Sequence, residues 1–212
     1  MQNNYRFLFH LHTFKSYDAT ISYKQLYTTI IEHNITHLAI TEHNNIDSYK
    51  EFKEYIKKRN VNVILIPAVE YTTKIGDIIA LNIDELIVFD TYLDLIKKIR
   101  QKNGYVILPH PFKRKEYPSK LYEYLDFYEV LNMRGVGRNF DSSSFNNIKQ
   151  IFGSDAHNGI ELPGVINVFN SNEKFFDALN SSTIIPEIHT STLKLHKFVN
   201  KIISKIKRKF FK

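Results

Sequence analysis

Two histidines two residues apart, His10 and His12, close the apolar run Tyr5-Arg6-Phe7-Leu8-Phe9. If that run is a strand, residues i and i+2 share a face and both imidazoles point at one place. Two neutral imidazoles converging on a point form a chelating pair suited to Zn, Fe or Mn. A half-buried strand shows the same alternation without an ion, so the pair alone leaves both readings open. Similar residue types return along the chain, as His43, Glu70, His110 and Asp155-Ala156-His157, the last pair again spaced i, i+2. Ligation of a metal by imidazole and carboxylate is the chemistry they have in common.

Elements must bring these side chains together. Strands are expected over 5–9, 37–41, 61–66, 76–81, 105–108, 127–131, 150–152, 165–168 and 183–185. Ser22 with Gln25 three residues on is a capping-box pattern and opens a helix whose inner face carries Leu26, Thr29, Ile30 and His33. Further helices are expected over 48–59, from Thr91 to a stop at Gly104, near 118–125 and from Ser171. The run 61–66 is almost wholly apolar, as in a parallel strand covered on both faces. Alternating strands and helices call for an α/β fold with a parallel sheet. His10/His12, His43, Glu70, His110 and Asp155/His157 all fall at the C-terminal ends of expected strands. In a barrel of β/α units those ends meet on one face, where catalytic residues collect.

Size and composition narrow the function classes. A chain of 212 residues suits one domain with its own core. There is no cysteine, which excludes disulfides, Fe–S clusters and thiolate zinc sites. No apolar run reaches the roughly 20 residues of a membrane span, and no signal-type segment opens the chain, so a soluble cytoplasmic protein is expected. The net charge of +7 is unevenly spread. Residues 192–212 hold seven Lys and one Arg with no acidic residue, and residues 1–191 hold 21 basic and 22 acidic residues. The division expected is therefore a body over 1–191 and a basic tail over 192–212. In the tail Leu195, Phe198, Val199, Ile202, Ile206 and Phe210 follow helical spacing. A basic amphipathic C-terminal helix is expected, either docked on the body or binding nucleic acid or an anionic membrane surface.

Taken in order, one set of motifs runs through about residues 5–170. It comprises His10-Leu11-His12-Thr13, Ser16-Tyr17-Asp18, Thr41-Glu42-His43-Asn44, Val69-Glu70 and Pro109-His110-Pro111-Phe112. It continues with Glu129-Val130-Leu131-Asn132-Met133-Arg134 and Gly153-Ser154-Asp155-Ala156-His157. The set resembles the PHP (polymerase and histidinol phosphatase) family of metal-dependent phosphoesterases. The resemblance implies a single-domain, TIM-like distorted (β/α)7 barrel and a cluster of two or three divalent ions, with Mn, Fe and Zn all accepted by such ligands. Carried over position by position, the implied ligands are His10, His12, Asp18, His43, Glu70, His110, Asp155 and His157. A ninth position, usually histidine, falls on Asp77, which either completes the site through oxygen or binds one metal less tightly, and Glu42, where an aspartate usually precedes the histidine, is expected to support a ligand. His33, His37, His189 and His196 lack this context and are expected in the core or on the surface.

The implied reaction is hydrolysis of a phosphomonoester of a small metabolite or nucleotide by a hydroxide generated at the cluster. Asp155 and His157 then belong to the catalytic set. Phosphate oxygens also want cationic donors, for which Arg134 and Arg114 are first choice, with Lys113 and Arg138 nearby in sequence. The family's range also covers a 3′-end nuclease or nucleoside-bisphosphate phosphatase and a protein phosphotyrosine phosphatase. A metal-binding regulatory module without catalysis is the non-enzyme alternative.

Overall fold

The computed structural model describes residues 2–114, 116–135 and 145–189. The expected tail helix over 192–212, with His196, and the candidate cation Arg138 lie outside the described residues. Among the described residues, ten strands and five α-helices follow in the order β1 Asn3–Phe9, α1 Tyr23–Glu32, β2 His37–Ala39, α2 Asp47–Lys57, β3 Ile64–Leu65, β4 Ala68–Thr73 and β5 Gly76–Leu81. Then come α3 Tyr92–Gln101, β6 Tyr105–Leu108, α4 Ser119–Tyr122, β7 Phe127–Asn132, β8 Lys149–Gly153, β9 Val165–Ser171, α5 Phe175–Ser181 and β10 Ile185–Ile188. Both caps read from the sequence form. Ser22 accepts from the Gln25 amide within a full capping box, and Thr91 Oγ1 accepts from the Asp94 amide.

The fold is mixed α/β, with two five-stranded sheets in the orders β10-β9-β1-β2-β3 and β4-β5-β6-β7-β8. The all-parallel sheet expected from the sequence needs correction. β1-β2-β3 and β6-β7-β8 are parallel, whereas β4-β5-β6 and β10-β9-β1 are antiparallel. The run 61–66 forms only the two-residue edge strand β3, with Ile64 55% exposed, so it is not covered on both faces. Ala68–Thr73, read as a strand end, is a strand of its own in a hairpin with β5.

No ladder closes a ring among the described residues. β9 occupies one edge of β1 from Asn3 to Phe7, so β8 reaches β1 only beyond it. There the Ser154 amide donates to Phe9 O at 3.0 Å and the His12 amide to Ala156 O at 2.8 Å. Leu11 and Ala156 form an isolated parallel bridge. A second bridge joins His43 to Glu70 at the other junction of the sheets. Both bridges lie among the candidate ligands, so the sheets are stitched where the site sits.

Side-chain alternation in β1 divides the core. Phe7 and Phe9 turn inward with Ala39, Ile79, Ile107, Phe127, Ile151 and Phe169, contributed by both sheets. Leu8 turns outward onto α1 and α2 with Leu26, Ile30 and Phe52, and Leu11, past the left-handed turn at His10, joins the same cluster. A third cluster lies under α3 and includes Leu95, Ile96 and Ile99. Phe175 of α5 packs edge-on against Phe7 at 5.1 Å and stacks on His37 at 4.1 Å.

His37 is thus a core residue, 4% exposed, and burial pushes its imidazole down to about 4. The unfolded chain takes up this proton near the ordinary value of 6.5, and the folded chain only near 4. Neutral His37 therefore stabilises the fold fully above pH 6.5, and that stability is lost as pH falls toward 4. The full loss is about 3 kcal/mol. In urea unfolding at pH 7 and pH 4.5, His37→Phe keeps the stack on Phe175 and is expected to lose about 2 kcal/mol less than wild type. Parallel losses in the two proteins would refute this.

Candidate metal centre

β1, β6 and β8 deliver their last side chains through an unusual backbone. His10, His110 and Asp155 have φ of 60°, 34° and 50°, a left-handed conformation that non-glycine residues seldom adopt. Each sits one or two residues past its strand end, where the turn of the chain aims the side chain across the end of the interior core. Seven of the nine sequence candidates gather there. His10, Glu70 and His110 have ligand atoms within 4.8 Å of one another, as do His10, His12 and Asp155, and His12, His43 and His157. Asp18 flanks one end, its Oδ2 3.2 Å from His157 Nε2 and 3.6 Å from His43 Nε2. Asp77 flanks the other, its Oδ2 3.8 Å from His110 Nε2.

Glu70 lies at the centre. Its Oε1 accepts from His110 Nε2 at 3.0 Å. Its Oε2 is 3.1 Å from His12 Nε2, 3.3 Å from His43 Nδ1 and 3.4 Å from His10 Nε2. It comes from the middle of β4, not from a strand end, and its register opposite His43 places it.

The electrostatics divide the site. Burial pulls the His10 imidazole down, but Glu129, Asp155 and Glu70 together hold it well above its ordinary value. Burial raises the Glu70 and Asp155 carboxyls, but His10, joined by His110 and His12 at Glu70 and by His110 and Lys113 at Asp155, holds both well below the usual carboxylate range. On the other side, burial and then the neighbouring His12 ring push His157 down to about 4 and lower His43. At neutral pH two anionic carboxylates and two neutral imidazoles have the protonation states a metal needs, while His10 holds a proton that a metal would displace.

The residues fit a divalent ion. Among the described residues, five buried side-chain polar atoms have no hydrogen-bond partner, and all five are here: His10 Nε2, His12 Nε2, His43 Nδ1, Glu70 Oε2 and Asp155 Oδ2. Buried polar atoms normally find partners, because leaving one unpaired costs about 1–3 kcal/mol. Five turned toward each other without pairing describe a donor set for a cation, and the carboxylates are buried charges that such a cation neutralises.

A family model for the PHP domain matches residues 9–183, most of the chain. The chain belongs to the PHP-domain family. Solved structures with the same fold have low sequence identity to it. A two-domain protein described as containing a predicted PHP-like metal-dependent phosphoesterase, from Bacteroides vulgatus, aligns with a TM-score of 0.71 at 16% identity, over 89% of this chain and 66% of its own length. PsfC from Pseudomonas syringae aligns at 0.66 and 15% identity, over 96% of this chain and 99% of its own. The lesion-specific endonuclease EndoQ from Pyrococcus furiosus aligns at 0.62 and 12% identity, over 86% of this chain and 58% of its own. No curated protein matches the sequence. Among the described residues, no helix of this PHP domain is long and apolar enough to cross a membrane.

Around the ligand cluster, this PHP domain has supporting groups that sequence reasoning missed. Glu129, fully buried, accepts from His10 Nδ1 at 2.5 Å, from the His110 amide at 2.7 Å and from Asn132 Nδ2 at 2.8 Å. By accepting from Nδ1–H it fixes the His10 ring with Nε2 facing the cluster, where a metal would replace the Nε2 proton. A carboxylate inside the apolar strand Phe127-Tyr128-Glu129-Val130-Leu131 was the available signal, since such a group stays buried only with partners. Glu42, which the sequence did mark as a supporting position before His43, works similarly. It accepts from the Thr13 amide at 2.9 Å and from the hydroxyls of Thr13, Ser48 and Ser16, and so anchors the loop that carries Asp18. Glu161 accepts from the His157 amide at 2.6 Å.

Of the cations, Lys113 comes closer to the cluster than the sequence suggested, with Nζ 3.9 Å from Asp155 Oδ2. Arg134 Nε is 3.9 Å from Glu161 Oε1. Arg114 lies instead over the β4–β5 turn, where a Cβ on Gly76 would meet its Nε at 3.0 Å. His37, His33 and His189 are away from the cluster; the latter two pack edge-on at 4.6 Å.

Proposed function

We propose that the protein is a metal-dependent hydrolase that cleaves a phosphomonoester of a small metabolite or nucleotide. The observation that carries this reading is the set of five buried, unpartnered ligand atoms facing one another beside Lys113. His10, His12, His43, Glu70, His110, Asp155 and His157 would hold two or three ions such as Mn, Fe or Zn, with Asp18 and Asp77 at the flanks. Bound ions supply a water of lowered pKa and positive charge for the phosphoryl oxygens.

The protein's own groups do the rest. Glu129 and Glu42 hold ligand rings and loops in place, so little reorganisation accompanies binding. Lys113 and Arg134 offer donors to the phosphate oxygens at the rim. Arg114 serves by the same chemistry only if it leaves Gly76. Asp155 and His157 complete the catalytic set, with the Asp155 carboxylate held anionic.

The finer architecture, a single distorted barrel over 1–191, is our reading of the two bridges that stitch the sheets. We assign the basic segment 192–212 to contact with nucleic acid or an anionic membrane surface, because its charge contrasts with a near-neutral body. The fold-related endonuclease makes cleavage of a nucleic-acid phosphodiester the second reading.

The test is hydrolysis of p-nitrophenyl phosphate and a panel of mono- and diesters, with Mn, Fe or Zn added in turn. Turnover is expected with at least one metal, to stop with a chelator and to return on re-addition. A folded protein that takes up none of these metals and is inactive on every ester would overturn the reading.

A further inference from the structure

We propose that Tyr17 is a stacking platform at the mouth of the metal centre, selecting esters in which a flat aromatic ring lies close to the phosphoryl group. The inference rests on the phosphoesterase reading and narrows its substrate class. Tyr17 is 90% exposed, the most exposed of the large apolar or aromatic side chains among the described residues. It is nonetheless held in place. Its ring lies 5.5 Å from that of His43 at 29°, and His43 in turn lies 4.3 Å from His12 at 27°. Three rings thus run from the buried cluster to solvent, and the outermost leaves most of its surface open.

The backbone on both sides of Tyr17 is pinned to the site. Ser16 Oγ donates to Glu42 and accepts from the His43 amide at 3.2 Å. Asp18 reaches His157 at 3.2 Å, and the Thr20 amide donates to His157 O at 2.7 Å. Tyr17 therefore keeps its position relative to the cluster while presenting apolar surface to water, an arrangement that gains stability only when something flat covers it. An aliphatic polyol phosphate makes no use of such a surface. A ring on the ester oxygen, or one beyond a ribose, does.

The test compares kcat/KM for p-nitrophenyl phosphate, adenosine 5′-monophosphate and glycerol 1-phosphate with Mn added, in wild type, Tyr17→Ala and Tyr17→Phe. Stacking of one ring predicts that Tyr17→Ala lowers the aromatic-to-glycerol ratio about tenfold, chiefly through KM, and that Tyr17→Phe restores it. A fall for the aryl phosphate alone places the ring on the ester oxygen; a fall for the nucleotide places it beyond the sugar. An unchanged ratio, or equal losses on all three esters, overturns the platform. If wild type hydrolyses none of them, the ester and metal panel decides the phosphoesterase reading, and calorimetric binding to the Mn-loaded protein decides the platform separately. Adenosine 5′-monophosphate should bind wild type and Tyr17→Phe about tenfold more tightly than Tyr17→Ala. Equal affinities would overturn the inference.

Discussion

Glu70→Gln is expected to lower phosphoester turnover about a thousandfold or more and to empty much of the metal centre while the fold persists. The amide matches the carboxylate in shape, so packing in β4 changes little. What changes is charge at the point where four imidazoles converge. Oε2 of Glu70 lies within 3.4 Å of His10, His12 and His43, and Oε1 accepts from His110. Glutamine puts an NH2 on one of these oxygens' positions. The donor either faces imidazole nitrogens that must present lone pairs to a metal or displaces the His110 hydrogen bond. It also removes the anion that partly offsets the charge of bound ions. Metal content by atomic spectroscopy, turnover on p-nitrophenyl phosphate and circular dichroism together test this. Full metal loading with near-wild-type turnover would remove Glu70 from the centre.

A second large effect is expected from Gly153→Ala, although Gly153 offers no functional group. A Cβ there would lie 1.8 Å from Glu129 Oε1 and 2.4 Å from its Cδ. Glu129 has no room to yield, because hydrogen bonds to His10, to the His110 amide and to Asn132 fix both its oxygens. Overpacking and breakage of buried hydrogen bonds together predict a loss of about 3 kcal/mol or more. Metal affinity is expected to drop by about 10–100-fold, because His10 loses its orienting partner. The double-mutant cycle isolates the cause. In a Glu129→Ala background the added methyl has space, so Gly153→Ala is expected to cost little more, while metal affinity stays low. An equal penalty in both backgrounds, read from urea midpoints, would place the clash elsewhere.

Local signals carried much of this protein. His10-Leu11-His12 and Asp155-Ala156-His157 each put two ligand-type side chains at the end of an apolar run. The caps at Ser22 and Thr91 are legible because a cap depends on residues three apart. The ordered motifs pointed to the family that the match over residues 9–183 establishes. These features are settled within a few residues of themselves, by strand alternation and by backbone donors seeking partners.

What the tertiary structure decided lies at long range. Glu129 meets His10 across 119 positions, and nothing near either residue announces the pairing. Glu70 looked like a strand end because Pro67 interrupts the apolar run. Pairing with β5 makes it the middle of a strand, and the bridge to His43 brings it to the centre. Apolar residues at 61–66 resembled a buried parallel strand, yet only two of them pair, at an edge. Periodicity gives a strand its faces but not its neighbours. Which strands lie side by side, which cation reaches Asp155, and which carboxylate takes the proton of His10 depend on how the two sheets pack around the aromatic core.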